Sequence, residues 1–243
     1  MSKLTYAKYE GAGNTFILID DRAPFFDKNL VPQLCHRENV DGLILLQLDP
    51  EADFRMRIFN RDGSEAESCG NGLRCLIRFI ADLGFPRRLY RIAMADRIVE
   101  GEFVGDNVRI QLGEPRDLKL HLKIDSWTVH FVDTGVPHLV IFVPDVDAVD
   151  LLNLGPYFRH HPQFQPRGTN VNFAELQKDG SLKIRTYERG VEGEVAACGT
   201  GAAAVGFIAP LLFPLPSTAV NLLTIRGQRL KISWSESCLS LEG

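Results

Sequence analysis

Two stretches of this 243-residue chain repeat one another. The first, FRMRIFNRDGSEAESCGNGLRC, runs from Phe54 to Cys75; the second, LKIRTYERGVEGEVAACGTGAAA, runs from Leu182 to Ala204. Each reads as a strand of alternating pattern, a glycine-containing turn, and a Glu four residues before a Cys (Glu65 and Cys69, Glu194 and Cys198). Each then continues into Cys-Gly-x-Gly, which opens a helix. The two cysteines stand 129 positions apart, close to half the chain length. Upstream the match is weaker: GAGNTFILID resembles DTGVPHLVIFV in its turn and following strand. A duplication of this extent predicts two homologous halves, residues 1–120 and 121–243, joined where GEPRDLKLHLKID runs polar. The C-terminal end is free to return to the first half.

Short β-type runs dominate the rest. FILID (Phe16–Asp20), GLILLQL (Gly42–Leu48), FRMRIF (Phe54–Phe59), HLVIFV (His138–Val143) and LKIRTY (Leu182–Tyr187) are rich in β-branched and aromatic residues. Two segments read as long helices. After Gly70, Leu73, Leu76, Ile77, Ile80 and Leu83 recur at helical spacing, and Gly84 supplies a stop. The helix after Gly199 is apolar all round, which predicts burial on every side.

Composition narrows the class of function. Apolar residues are 45% and charged residues 24%, which fits a globular chain rather than a disordered one. A net charge of −4 offers no attraction for nucleic acid or anionic lipid, so neither is an expected partner. The stretch Ala202–Phe213 is too short for a membrane helix and carries Pro210. MSKLTYAKYEGAGN has no apolar signal-peptide region, and five cysteines form no framework spacing. A cytoplasmic protein with reduced thiols is expected.

A cysteine at a helix mouth sits among unsatisfied N–H groups and the positive end of the helix dipole, which favours its thiolate. The flanking glycines let backbone approach a ligand, and the same N–H groups suit a carboxylate or phosphate. Two such mouths brought to one cleft by a pseudo-two-fold axis suggest a specific reaction. One thiolate removes the α-proton of an amino acid, and the opposing thiol returns a proton on the other face. The helix mouths stabilise the charge that builds at the α-carboxylate.

GAGNTF, FNRDGSEAESCGNGLRC, GVPH, RGTNVNF and YERG…EVAACGTGA, in that order and across nearly the whole chain, resemble the diaminopimelate epimerases of the PLP-independent racemase superfamily. The resemblance implies an α/β (α+β type) fold of two pseudo-symmetric domains. Each would be a β-rich shell around a central helix, with the active site in the interdomain cleft. It implies a homodimer that interconverts L,L- and meso-2,6-diaminopimelate without PLP, metal or nucleotide, in the route to lysine and peptidoglycan. By motif, Cys69 and Cys198 match the acid/base cysteines. Gly70, Asn71, Gly199 and Thr200 match the groups that hold the reacting carboxylate. Asn14, Asn60 and Asn170 match substrate-binding asparagines, and Glu188 and Arg189 match the pair that reads the distal amino-acid end. His138 matches a histidine beside the catalytic site.

The chain departs from the family pattern at two pocket positions. Asp41-Gly42-Leu43 stands where the family has Asp-Gln-Leu, and Gly135-Val136-Pro137-His138 where it has Gly-Asn-Pro-His. The segment from Glu188 to Cys198 is one residue longer than usual, and the C-terminus stops short at LEG. Losing a Gln and an Asn removes part of the penalty that a polar pocket imposes on wrong ligands. The expectation is an epimerase with a looser pocket that also accepts an amino acid such as glutamate. Other readings stay open: a racemase of glutamate or a proline-like amino acid, or a non-catalytic thiol-redox or amino-acid-binding protein. Glu188 and Arg189 argue against a proline racemase, whose compact substrate has no distal end. The cysteine pair argues against phenazine-type isomerases, which share the fold but do not use it. Plainer roles are expected elsewhere: Cys35, Cys75 and Cys238 as packing residues, Glu65 and Glu194 as turn supports, and His160 and His161 in an exposed loop.

Overall fold

The computed structural model describes residues 4–66, 69–95, 97–215, 218–235 and 238–243. It divides into two compact units, residues 1–110 together with Gly243, and residues 111–242.

In the first unit, β1 (Ala7–Gly11) and β2 (Asn14–Asp20) form an antiparallel hairpin. The chain crosses through α1 (Val31–Glu38) into β3 (Gly42–Gln47), parallel to β2. β4 (Phe54–Asn60) returns antiparallel and pairs with the short β5 (Glu65–Ala66). α2 (Gly70–Asp82) follows, and β6 (Tyr90–Ala93) then lies parallel to β4. β7 (Ile98–Val104) and β8 (Asn107–Gly113) complete the series antiparallel, with β8 running across the unit boundary.

The second unit begins with β9 (Arg116–Ile124) and then repeats this plan strand for strand. β10 (Trp127–Asp133) pairs antiparallel with β11 (Pro137–Phe142), and α3 (Leu151–Arg159) leads to β12 (Asn170–Leu176), parallel to β11. β13 (Leu182–Glu188) and β14 (Gly193–Val195) follow antiparallel. After α4 (Gly199–Leu212), β15 (Ala219–Thr224) is parallel to β13. β16 (Arg229–Ser235) and β17 (Cys238–Glu242) are antiparallel. The duplication seen in sequence is therefore a duplication of strand pairing.

Each unit wraps its strands around one helix. α2 touches β1 to β4 and β7; α4 touches β10 to β13 and β15 to β17. That is why β3 is buried along Gly42–Leu46 without alternation: α1 packs on one face, through Ile17, Leu43, Leu45, Val31 and Leu34, while Ile44, Met56 and Ile58 meet α2 at Gly72. In the second unit Trp127, Phe158 and Phe173 make edge-to-face contacts at 5.8–6.2 Å within the equivalent core.

Three expectations change. α1 and α3 join the two helices expected. The polar stretch taken as a join forms β9, which pairs with β10. α4 is buried from Gly201 to Ala209 except at Phe207, but it runs through Pro210 and leaves Leu211 half exposed. The proline ring gives up only one intrahelical hydrogen bond so near the helix end. Among the described residues, no helix is long and apolar enough to cross a membrane.

Candidate active site

Both cysteines occupy the N-cap of their central helix, in extended backbone, with φ/ψ of −155°/108° for Cys69 and −121°/112° for Cys198. Their carbonyls accept the first intrahelical bonds, from Leu73 and Ala202 at 2.9 Å. The Cys69 sulfur also accepts from the Gly72 amide at 3.3 Å, so the thiol itself caps the helix. The amides of Gly70, Asn71, Gly199 and Thr200 lie in the first turns, where a helix has no acceptor of its own to offer.

At the first mouth, Asn71 is buried and donates from Nδ2 to Oδ1 of Asn14 at 2.8 Å. The GAGN turn can come this close because Gly11 carries no side chain. A Cβ there would sit 2.8 Å from the Cys75 sulfur and 2.9 Å from the Asn71 carbonyl. Asn60 lies at the end of β4 and donates to the Ser64 hydroxyl at 2.9 Å. Gly42 pairs with Asn60 across β3 and β4, and a Cβ on it would meet the Phe59 carbonyl at 2.6 Å. The missing Gln is thus matched by backbone that leaves no room for a side chain.

At the second mouth a chain of hydrogen bonds runs through the unit's interior. Asn172 Nδ2 donates to the Leu139 carbonyl at 2.9 Å, which identifies that atom as the nitrogen of the amide. The same NH2 group lies 3.1 Å from His138 Nδ1, which therefore accepts. His138 must then carry its proton on Nε2, from which it donates to Thr200 Oγ1 at 2.9 Å. The Thr200 hydroxyl keeps its own hydrogen, which can point toward the Cys198 sulfur at 3.5 Å. Thr186 donates to Asn172 Oδ1 at 3.0 Å and Thr134 to the Thr200 carbonyl at 2.8 Å. Burial, with the Arg189 charge adding to it, pushes the His138 pKa down to about 3, so the ring is neutral across the physiological range.

Glu188, the last residue of β13, has its carboxyl pushed above the usual range by burial; the Cys198 thiol donates to it and draws it part of the way back. Arg189 is held by its neighbours. Its amide donates to Asn170 Oδ1 at 2.8 Å and its guanidinium to the Arg167 carbonyl at 3.1 Å. Asn170 in turn donates to the Pro137 carbonyl at 3.2 Å, tying GVPH to YERG. Val136 lies in the turn between β10 and β11, at the position that Asn14 holds in the first unit.

Glu65 and Glu194 each take a bidentate fork, from Arg57 at 2.7 and 2.8 Å and from Arg185 at 2.7 and 3.0 Å. Burial pushes the Cys75 thiol to about 12 and raises that of Cys35, leaving both as protonated packing groups. His161 caps a short 3₁₀ turn at Pro162–Phe164 and His160 is exposed. Asn172, Thr186 and Arg74 escaped the sequence reading. Their one visible signal was a polar residue on an otherwise apolar strand or helix face.

The diaminopimelate epimerase family model matches residues 6–117 and 130–237. The chain belongs to the diaminopimelate epimerase family. Among its relatives, the diaminopimelate epimerase of Hydrogenobaculum sp. (strain Y04AAS1) is 39% identical, covering 97% of this chain and 93% of that protein. That of Aquifex aeolicus (strain VF5) is 38% identical over 96% and 91%. The fold is also that of more distant solved structures. A phenazine biosynthesis protein of the PhzF family from Bacillus anthracis superposes with a TM-score of 0.77 at 14% identity, over 100% of this chain and 96% of that one. A probable proline racemase from Agrobacterium radiobacter K84 gives 0.69 at 15%, over 99% and 90%.

Proposed function

We propose that this chain epimerises L,L-2,6-diaminopimelate to the meso isomer with Cys69 and Cys198 as its two acid/base groups. The observation that carries the reading is the pair of N-cap cysteines on duplicated central helices, in a chain 38–39% identical to diaminopimelate epimerases over nearly its full length. In one direction a thiolate takes the α-proton and becomes a thiol. The pair of electrons left on carbon is delocalised into the carboxylate, against the first-turn amides. The other thiol delivers its proton to the opposite face and becomes a thiolate. Nothing is consumed, and the two sulfurs exchange protonation states, to be reset before the next turnover.

Glu188 and Thr200 serve Cys198 differently. Glu188, with a raised pKa beside the sulfur, is suited to take the thiol proton; the Thr200 hydroxyl, aimed by neutral His138, is suited to stabilise the thiolate. Arg189 offers a planar fork to the distal carboxylate. Gly42 and Val136 present no polar side-chain atom, which supports slow turnover of a second amino acid such as glutamate. The reading includes a cytoplasmic homodimer.

Proton NMR of the reduced protein in deuterated water, with L,L-diaminopimelate and glutamate in separate tubes, tests this. Loss of the α-proton signal with formation of the meso isomer is expected, and Cys69→Ala and Cys198→Ala should each abolish it. Near-normal epimerisation by either variant would refute the two-thiol mechanism. An inert glutamate tube would refute the looser pocket alone.

A further inference from the structure

Arg74 lies on α2, one turn inside the helix from Cys69, and is 4% exposed. Burying a guanidinium is costly unless its donors are used, and among the described residues no carboxylate pairs with it. Its Nη2 donates instead to Oδ1 of Asn71 at 3.0 Å, and its Nη1 to the Gly70 carbonyl at 3.4 Å. A guanidinium can only donate. The Asn71 amide therefore has one allowed orientation, oxygen toward Arg74 and nitrogen toward Asn14. Asn14 in turn must accept with Oδ1, which directs its own NH2 group away from the protein chain of bonds. Asn14 is half exposed, and no acceptor among the described residues takes that NH2 group.

The second unit reaches the same end by other means. Thr200 stands where Asn71 does, and it is oriented by His138 from β11; the position equivalent to Arg74 is Ala203, and that equivalent to His138 is Phe16. One buried nitrogen donor thus sets the residue two places after each cysteine. In the first unit that donor is Arg74.

We propose that Arg74 is a positioning residue which, through Asn71, holds the Asn14 amide with its NH2 group offered to a carboxylate oxygen of the substrate. The proposal rests on the epimerase reading for the substrate, but the relay itself does not.

A double-mutant cycle tests it. Arg74→Met should raise KM with kcat changed less, and Asn14→Ala should cost at least ~10-fold in kcat/KM in the wild type but under ~3-fold once Arg74 is Met. Asn60→Ala should cost the same in both backgrounds. Equal costs of Asn14→Ala in the two backgrounds, or unchanged kinetics of Arg74→Met, would overturn the relay. If Arg74→Met does not fold, Asn14→Asp decides, because it keeps the acceptor for Asn71 and removes only the NH2 group. It should melt with the wild type yet show a KM at least ~10-fold higher, since like charges now face each other; an unchanged KM would overturn the proposal. Hydrogen exchange of the Asn71 side-chain NH2 needs no substrate. It should speed up in Arg74→Lys, whose ammonium on a flexible stem holds the amide less firmly than the planar guanidinium, and unchanged exchange would count against the relay. A wild-type protein inert toward diaminopimelate would refute the substrate and leave the exchange experiment to judge Arg74.

Discussion

Replacing Thr200 by valine removes one oxygen and keeps the shape. The lost atom accepts the His138 Nε2–H at 2.9 Å, and His138 is completely buried, so the ring N–H has no water to turn to. It cannot escape by changing tautomer, because Nδ1 is already committed as acceptor to Asn172. A buried donor left without a partner costs about 1–3 kcal/mol. In a chain of this size each kcal/mol moves the melting temperature by about 2–4 °C, so a fall on the order of 5 °C is expected. Thr200→Ser keeps the acceptor and loses one half-buried methyl, worth less than about 1 kcal/mol. Thermal melts of the two variants side by side make the comparison. A valine variant that melts at or above the serine variant would refute the bond direction derived for this chain of residues.

Other consequences are as easily checked. His138, held down to about 3, and His130, held down to about 4 by burial and the neighbouring His121, stay neutral when folded, whereas the unfolded chain takes up their protons from near pH 6.5 downward. Their stabilisation is present above that pH and lost as the pH falls toward 3; the urea midpoint of His138→Gln should therefore fall less steeply between pH 6.5 and 4 than that of the wild type. The duplicated Arg–Glu forks should differ in weight. Arg185 also donates to the Val146 and Val149 carbonyls at 3.2 and 3.0 Å, so Arg185→Met should cost about 1–3 kcal/mol in denaturant titration, against about 0–1 for the more exposed Arg57→Met. Gly42→Ala drives a Cβ into the Phe59 carbonyl and should destabilise by about 1–3 kcal/mol; a neutral result would show that the β3–β4 pairing yields there.

Much of this molecule could be read directly from residue order. The strands announced themselves through runs of Val, Ile, Leu and Phe, and α2 through its leucine and isoleucine spacing. The duplication made the cysteines stand out, because a lone Cys-Gly-x-Gly would have carried little weight. What stayed hidden was local weakness rescued by packing, and polar pairing at long range. α3 contains Gly155 and Pro156, two poor helix residues, yet it forms because the glycine lies flat on the Tyr187 ring, where a Cβ would be 2.4 Å from it. α1 buries only three residues, too few for a clear period. His138 and Thr200 are 62 residues apart, and nothing in either neighbourhood points to the other. Arg74 carries no mark in the sequence that separates it from a surface charge; only the shell of strands around α2 reveals it as interior.

The repeated pairing plan also poses a sorting problem during folding, since every strand of one half finds a counterpart of the same shape in the other. The linings of the two shells supply an answer. Ile44 and Ile58 face α2 where Asn172 and Thr186 stand in the second unit, and Phe16 occupies the place of His138. A helix that docked into the wrong shell would break the bonds that cross from shell to helix, leaving Asn71 without the Asn14 oxygen or His138 without the Thr200 hydroxyl. Each orphaned group would cost about 1–3 kcal/mol, enough for a mispaired intermediate to come apart before it sets. The polar threads behind the two cysteines thus double as address labels, by which a chain that carries one plan twice keeps its copies apart.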